Sequence, residues 1–353
     1  MYEKFYSFKE KPFHLNPDHR FFFGSVGHKR ALAYLNYGVR QGEGFIVITG
    51  EVGTGKTTLI YTLLEDLAKH EHIVVAHLPT PSLEGGELLP LVASAFGLAV
   101  EGVSKSVLLR QLEQFLMEQA RESKRTLLIV DEAQSLTMEG LEVLRMLTNF
   151  QMNNKALLQG FLIGQAEFQH TLSADNLEQL RQRVIASCHL GPMELQDTPL
   201  YIEHRLGIVG WNGDPAFTAG AYHSIHDYTG GIPRRINKLC DRILLVGYLE
   251  ETHIITRELV NSVIDELTEE ALVLKDEKKE PQTPKSEQAK PGSDEFYLSS
   301  YSPLANPSEQ ELLKLDERVA ALENIITKAR EALQALMSGN VREKSKETVD
   351  WDV

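Results

Sequence analysis

The sequence predicts an α/β fold in which a parallel sheet is sandwiched between helices, followed by a smaller all-helical domain. Two observations lead to this prediction. Between residues 44 and 190, short continuous apolar runs alternate with longer segments of helical periodicity, as expected of strands that are buried on both faces. After Pro192 the apolar runs of strand length stop, and helical patterns continue to about residue 270.

The order of the predicted elements is that of a doubly wound sheet, in which each strand is followed by a helix. The predicted strands are Phe45–Thr49, Ile73–Leu78, Thr126–Val130, Leu157–Ile163 and Ile185–Leu190. The predicted helices between them are Lys56–Lys69, Glu87–Phe96, Val107–Glu122 and Leu141–Phe150. In the helical domain, N-cap residues and a proline predict helices over Asp197–Leu206, Thr218–Tyr228, Pro233–Leu249 and Thr256–Glu270.

These patterns divide the chain into an α/β domain (1–192), a helical lid domain (193–270), a linker (271–308), an amphipathic helix (309–338) and a flexible tail (339–353). The linker is rich in Lys, Glu, Pro, Ser and Gln, so it cannot bury enough apolar surface to fold. The apolar residues of the last helix alternate by three and four. This spacing suits either a short two-stranded coiled coil or a single amphipathic helix that docks elsewhere.

The composition of the chain disfavours several classes of protein. The 353 residues include 42% hydrophobic residues and carry a formal net charge of -14, which disfavours binding dominated by nucleic-acid phosphates. The two cysteines, Cys188 and Cys240, lie far apart among apolar neighbours, so we expect both in the core. The N-terminus lacks the apolar segment of a signal peptide, and the longest apolar runs are too short to span a membrane. We therefore expect a soluble cytoplasmic protein.

The strongest motif is a complete G-x-x-x-x-G-K-T that follows the first predicted strand and begins the first predicted helix of the sheet domain. Its glycines let successive backbone N–H groups surround phosphates, and the helix adds the positive end of its dipole. Lys56 is expected to reach the β- and γ-phosphates of ATP, and Thr57 to offer its hydroxyl to Mg²⁺. The expected nucleotide-binding residues are Gly50, Glu51, Val52, Gly53, Thr54, Gly55, Lys56, Thr57 and Thr58.

A second motif is the apolar strand that ends in Asp131 and Glu132. Asp131 is placed to hold Mg²⁺ together with Thr57. Glu132 can accept a proton from an attacking water, which makes it the candidate general base. Because a kinase would not need Glu132, the pair favours hydrolysis of a nucleoside triphosphate.

Gln165 follows the fourth predicted strand. An amide at this place could orient the attacking water or contact the γ-phosphate. The other interpretation is a residue that caps the loop.

Arg181 and Arg183 precede the last predicted strand, where either could serve as an arginine finger for the nucleotide of a neighbouring subunit. Arg183 is the preferred residue. The alternative is a solvated helix end with one structural and one exposed arginine.

Arg234 lies in the first turn of the helix that Pro233 begins, after two glycines. From there it could face the nucleotide and couple the orientation of the lid to the γ-phosphate. The alternative is a capping cluster with exposed charge.

Taken in order, these elements resemble AAA+ ATPases, and among them the secretion ATPases related to general secretion pathway protein A. Within that group the sequence is most similar to the ATPases that accompany exosortase/PEP-CTERM and exopolysaccharide systems of Gram-negative bacteria. The segments that carry this resemblance are 11–13, 16–18, 21–23, 44–51, 131–134, 144–150, 179–184, 201–206 and 230–237.

The resemblance implies an oligomeric ATPase that assembles or powers a surface export or exopolysaccharide system, with protein components of that system as partners and recruitment to the inner membrane. A DNA-associated AAA+ ATPase, such as a transposition regulator, is the alternative, and the acidic net charge weighs against it. A scaffold that binds nucleotide without turnover is a third possibility, which intact Lys56, Asp131 and Glu132 oppose.

Overall fold

The computed structural model describes residues 1–79 and 88–276. In chain order, the strands are β1 (Phe45–Gly50), β2 (Ile73–Leu78), β3 (Arg125–Val130), β4 (Gln151–Met152), β5 (Lys155–Ala156), β6 (Leu158–Gly164), β7 (Val184–Leu190), β8 (Ala216–Phe217) and β9 (Ile254–Ile255). The helices are α1 (Tyr2–Phe5), α2 (Val26–Gln41), α3 (Lys56–Leu67), α4 (Leu88–Ala95), α5 (Lys105–Arg121), α6 (Met138–Leu147), α7 (Ala166–Leu172), α8 (Glu178–Arg181), α9 (Asp197–Ile208), α10 (Ala219–Thr229), α11 (Pro233–Leu249) and α12 (Arg257–Asp276).

The predicted α/β fold is confirmed. Five strands form one sheet in the order β2-β3-β6-β1-β7, and each neighbouring pair is parallel. All five agree with the predicted strands to within one residue at either end. Buried apolar side chains cover both faces of the sheet, which is why these strands are apolar without alternation.

Helix α2 was not predicted, although its sequence carries the signals of both ends. The Ser25 side chain accepts a hydrogen bond from the backbone N–H of His28 at the start of the helix, and Gly42 ends it in a left-handed conformation. Ala31 and Leu35 are fully buried against the sheet. The helix therefore belongs to the covering layer of the sheet.

The helices after Pro192 lie close to the predicted helices, with two corrections. Strands β8 and β9 form a short parallel pair, so strands do not stop entirely after Pro192. Helix α12 continues to Asp276, where a linker from residue 271 was expected, because the apolar sequence 271–274 continues its helical pattern. The rest of the predicted linker, the amphipathic helix and the flexible tail lie outside the described residues.

The first residues of the chain pack with the lid, although the sequence assigned them to the α/β domain. Tyr2, Tyr6 and Phe13 are buried in the same apolar cluster as residues of α9, α10, α11 and α12. The Arg205 side chain of α9 donates a hydrogen bond to the carbonyl of Pro12 over 2.6 Å. None of the helices within residues 1–79 and 88–276 combines the length and apolarity that a membrane span requires.

The sheet yields a test of its packing at Gly160 of β6. Gly160 is paired with Phe45 of β1, and a Cβ at this position would lie within 2.5 Å of two atoms of the Phe45 ring. Because Phe45 is buried, its ring cannot move without strain. Gly160→Ala should therefore lower the free energy of unfolding by about 1–3 kcal/mol in urea titrations.

Gly207→Ala is the matched control. Gly207 lies in α9, and a Cβ there would meet no atom within 4 Å. In a helix, alanine is favoured over glycine, so this variant should be more stable by about 0.5–1 kcal/mol. Equal effects of the two substitutions would contradict the packing described for β1 and β6.

Candidate nucleotide-binding site

The loop between β1 and α3 bends in a way that its glycines permit. Gly53 and Gly55 have φ angles of 90° and 97°, in the region that favours glycine. A Cβ at Gly53 would lie 2.6 Å from the Cβ of Arg234, and one at Gly55 would lie 2.8 Å from Nε2 of His28. The loop is thus held closely between α2 and α11, and other residues at these two positions would force it to move.

Lys56 is the first residue of α3, and its side chain is only 6% exposed. Its ammonium group donates to the carbonyls of Gly50 over 2.8 Å and Glu51 over 2.9 Å. Burial lowers the pKa of Lys56, while the nearby carboxylates of Glu132 and Asp131 act to raise it. An ammonium group has three N–H donors, so within the described part of the chain one is left for an anionic ligand.

Thr57 and Asp131 meet across the sheet edge. The Thr57 hydroxyl donates to Oδ2 of Asp131 over 3.1 Å, and the backbone N–H of Glu132 donates to Oδ1 over 2.9 Å. Burial raises the pKa of the Asp131 carboxyl, and these two hydrogen bonds act against that rise. A hydroxyl and a carboxylate are the hard oxygen ligands that Mg²⁺ prefers, so the pair fits this ion.

Glu132 lies at the turn after β3 with a φ angle of 52°, which is uncommon for a residue other than glycine. Gln134 donates from its amide to Oε2 of Glu132, and its amide oxygen accepts the backbone N–H of Gln165 over 2.9 Å. The Gln165 amide also lies 3.4 Å from Oε2 of Glu132. The structure therefore brings Glu132 and Gln165 together, with Gln134 as the bridge.

Gln134 was not assigned a role from the sequence. The available signal was its place two residues after Glu132, where the chain turns away from the end of β3.

A cleft lies over the loop. Its walls come from the N-terminal segment 14–23, the loop, Glu132 and the lid. Phe21, Phe22 and Phe23 of the N-terminal segment line it, and they provide the apolar surface typical of a ligand pocket. That the N-terminal segment forms this wall was not predicted.

Arg234 lies at the cleft. Its backbone N–H donates to the Gly53 carbonyl over 3.1 Å, and its exposed side chain lines the same cleft as Lys56. The lid is thereby joined to the phosphate-binding loop by a direct hydrogen bond.

Arg183 lies away from the loop. It precedes β7, and its carbonyl accepts the N–H of Phe45 over 2.8 Å at the amino end of β1, whereas Gly50 is at the carboxyl end. Five residues of strand separate these ends by about 17 Å. The Arg183 guanidinium donates to the Thr148 carbonyl over 2.7 Å and to the Asn149 side chain, which secures the end of α6.

Arg181, the other candidate, is exposed and donates to the Ser173 carbonyl over 3.2 Å.

A family model described as "AAA domain" matches residues 39–192. General secretion pathway protein A of Aeromonas hydrophila is 40% identical over 254 residues, which are 72% of this chain and 46% of that protein. The chain thus spans about half the length of this curated relative.

Among solved structures, Cdc6p from Pyrobaculum aerophilum is similar with a TM-score of 0.54 and 15% identity, over 75% of this chain and 70% of that one. The ORC1 protein of Aeropyrum pernix, solved in complex with DNA, has a TM-score of 0.53 and 17% identity, over 73% and 69% of the two chains. At these identities the likeness shows the fold alone, and that fold is the parallel P-loop sheet with a helical lid.

Proposed function

From the AAA domain of this chain and its relation to general secretion pathway protein A, we propose that it binds ATP with Mg²⁺ and hydrolyses it to act on protein partners. The observation that carries the proposal is the cluster formed by Lys56, the Thr57–Asp131 pair and Glu132 at one edge of the sheet. A structural loop has no need of a buried ammonium group beside two carboxylates, since isolated buried charge is costly.

In this proposal the loop binds the phosphates. Its backbone N–H groups and the amino end of α3 provide the donors, and Lys56 provides the positive charge. Arg234 lines the cleft from the lid. Its contact with the terminal phosphate would couple the orientation of the lid to the bound nucleotide. The residues proposed to bind nucleotide are Gly50, Glu51, Val52, Gly53, Thr54, Gly55, Lys56, Thr57, Thr58 and Arg234.

Thr57 and Asp131 would hold Mg²⁺. The ion supplies charge neutralisation at the phosphate oxygens. The Asp131 carboxylate is preorganised for metal binding, because two hydrogen bonds fix its orientation and it is buried.

Glu132 is the proposed general base. Gln134 and Gln165 both donate toward its Oε2, so they orient the carboxylate, and Gln165 is also proposed to hold a water near it. The carboxylate takes the proton of that water as the water attacks.

We propose that the chain works as a homo-oligomer. Arg183 precedes β7 at the end of the sheet opposite Gly50, so it can serve a nucleotide only in a neighbouring subunit. Arg181 is the alternative finger, since it is exposed and lies two residues before Arg183.

The proposed partners are protein components of a secretion system, which the name of the curated relative supports. The resemblance of the sequence to ATPases of exosortase/PEP-CTERM systems leads us to propose a surface or exopolysaccharide export system, with the chain in the cytoplasm at the inner membrane. The net charge of -14 favours protein partners over nucleic acid.

The first prediction concerns the base. Glu132→Gln keeps the size of the side chain but cannot accept the proton, so ATP turnover should fall by about 10²–10⁴-fold while ATP binding persists. Phosphate release and equilibrium ATP binding measure the two effects. Glu139→Gln, the same change at an exposed residue of α6, should leave both unchanged. Turnover near wild type for Glu132→Gln would rule out Glu132 as the base.

The second prediction concerns the finger. Arg183→Ala should bind ATP but hydrolyse it at least about 10³-fold more slowly, since a finger in trans contributes roughly that much. Mixing it with Glu132→Gln subunits should partly restore phosphate release, because one subunit supplies the finger and the other the base.

Arg183 also holds the end of α6, so thermal unfolding of the variant must be compared with that of wild type. Arg181→Ala in the same mixing assay decides between the two arginines. If neither variant complements Glu132→Gln, the proposal of a finger in trans is wrong.

A further inference from the structure

We propose that His28 is a positioning residue of the phosphate-binding loop, a role that rests on the proposed function: by holding the Thr54 carbonyl, its ring aims the backbone N–H of Gly55 at the bound phosphates. His28 lies in the first turn of α2 and is 5% exposed. His28 is distant from the phosphate-binding motif in the sequence, yet its ring lies directly against the loop.

The ring has one partner on each nitrogen. Nε2 lies 3.0 Å from the carbonyl oxygen of Thr54, and Nδ1 lies 2.7 Å from the hydroxyl of Ser25. A carbonyl oxygen can only accept, so Nε2 must carry the proton, and Nδ1 accepts from the Ser25 hydroxyl. The neutral ring in this tautomer satisfies both contacts.

The contact with Thr54 sets the direction of the next N–H. In a planar trans peptide, the C=O of one residue and the N–H of the next point in opposite directions. Fixing the Thr54 carbonyl toward His28 therefore points the Gly55 N–H away from the ring. Gly55 and Lys56 both line the cleft, so this N–H is one of the donors available to a phosphate.

The close approach of ring and loop leaves little freedom. A Cβ at Gly55 would lie 2.8 Å from Nε2 of His28, and the Phe22 ring packs edge-on against the imidazole at 5.8 Å between centroids. Burial lowers the pKa of His28, which favours the neutral ring. Ser25 is the N-cap of α2, and its oxygen also accepts the His28 N–H. The first turn of α2 and Phe22 thus hold the His28 ring in one position.

Two substitutions distinguish the hydrogen bond of Nε2 from that of Nδ1. His28→Gln can place an amide N–H near the position of Nε2 and keep the bond to Thr54. His28→Asn is shorter, reaches only the position of Nδ1 and loses that bond. With ADP as the probe, the full-length His28→Gln protein should bind within about threefold of wild type, and His28→Asn should bind about tenfold or more weakly, the cost of an unmade buried hydrogen bond.

His223→Asn, the same change at an exposed residue of α10, is the matched control and should keep the affinity of wild type for ADP. Thermal unfolding without nucleotide provides the readout of a merely structural role. If His28→Asn and His28→Gln lose stability and ADP affinity together and equally, His28 supports only the fold and the proposal is overturned.

The outcomes also separate this inference from the proposed function. If wild type fails to bind ADP, the proposed function fails. If wild type binds ADP and His28→Asn binds it equally well, the inference alone fails. Should His28→Asn not fold, Ser25→Ala loosens the ring from its other side, and it should weaken ADP binding by about threefold. Unchanged affinity of a folded Ser25→Ala protein would overturn the inference.

Discussion

The site depends on one constraint, the parallel alignment of three neighbouring strands. Strands β3, β6 and β1 lie side by side, so their carboxyl ends meet at one edge of the sheet. Asp131 and Glu132 follow β3, Gln165 follows β6, and the phosphate-binding loop follows β1. The hydrogen bond between Thr57 and Asp131 spans this edge. The arrangement of the strands alone therefore brings together residues that are far apart in the sequence.

The lid closes the other side of the site and is joined to it in two ways. The Arg234 backbone N–H bonds to Gly53, and the N-terminal wall of the cleft packs in the core of the lid. Arg205 secures that wall, because its buried guanidinium bonds to the Pro12 carbonyl and lies 4.6 Å from the centre of the Phe21 ring. The lid and the phosphate-binding loop are therefore connected both directly and through this wall.

The sheet, the order of its strands along the chain and the phosphate-binding loop could be predicted because each leaves a local pattern. Buried strands such as Ile73–Leu78 are continuous apolar runs, and the loop needs its glycines. The bonds of Gln134 and His28 could not be predicted, because they depend on partners distant in the chain or on backbone direction. The N-terminal wall was missed for the same reason, since its aromatic residues pack against a lid that begins far along the chain.

The central claim is that the loop and Lys56 recognise the β-phosphate of a nucleotide. Calorimetric titration of the full-length protein with ATP, ADP and AMP, each with Mg²⁺, tests it directly. We expect ATP and ADP to bind and AMP to bind at least about 100-fold more weakly, because AMP lacks the phosphate that forms charge-assisted hydrogen bonds with Lys56 and the loop. AMP binding as tightly as ADP would contradict the account, since affinity would then come from elsewhere in the cleft.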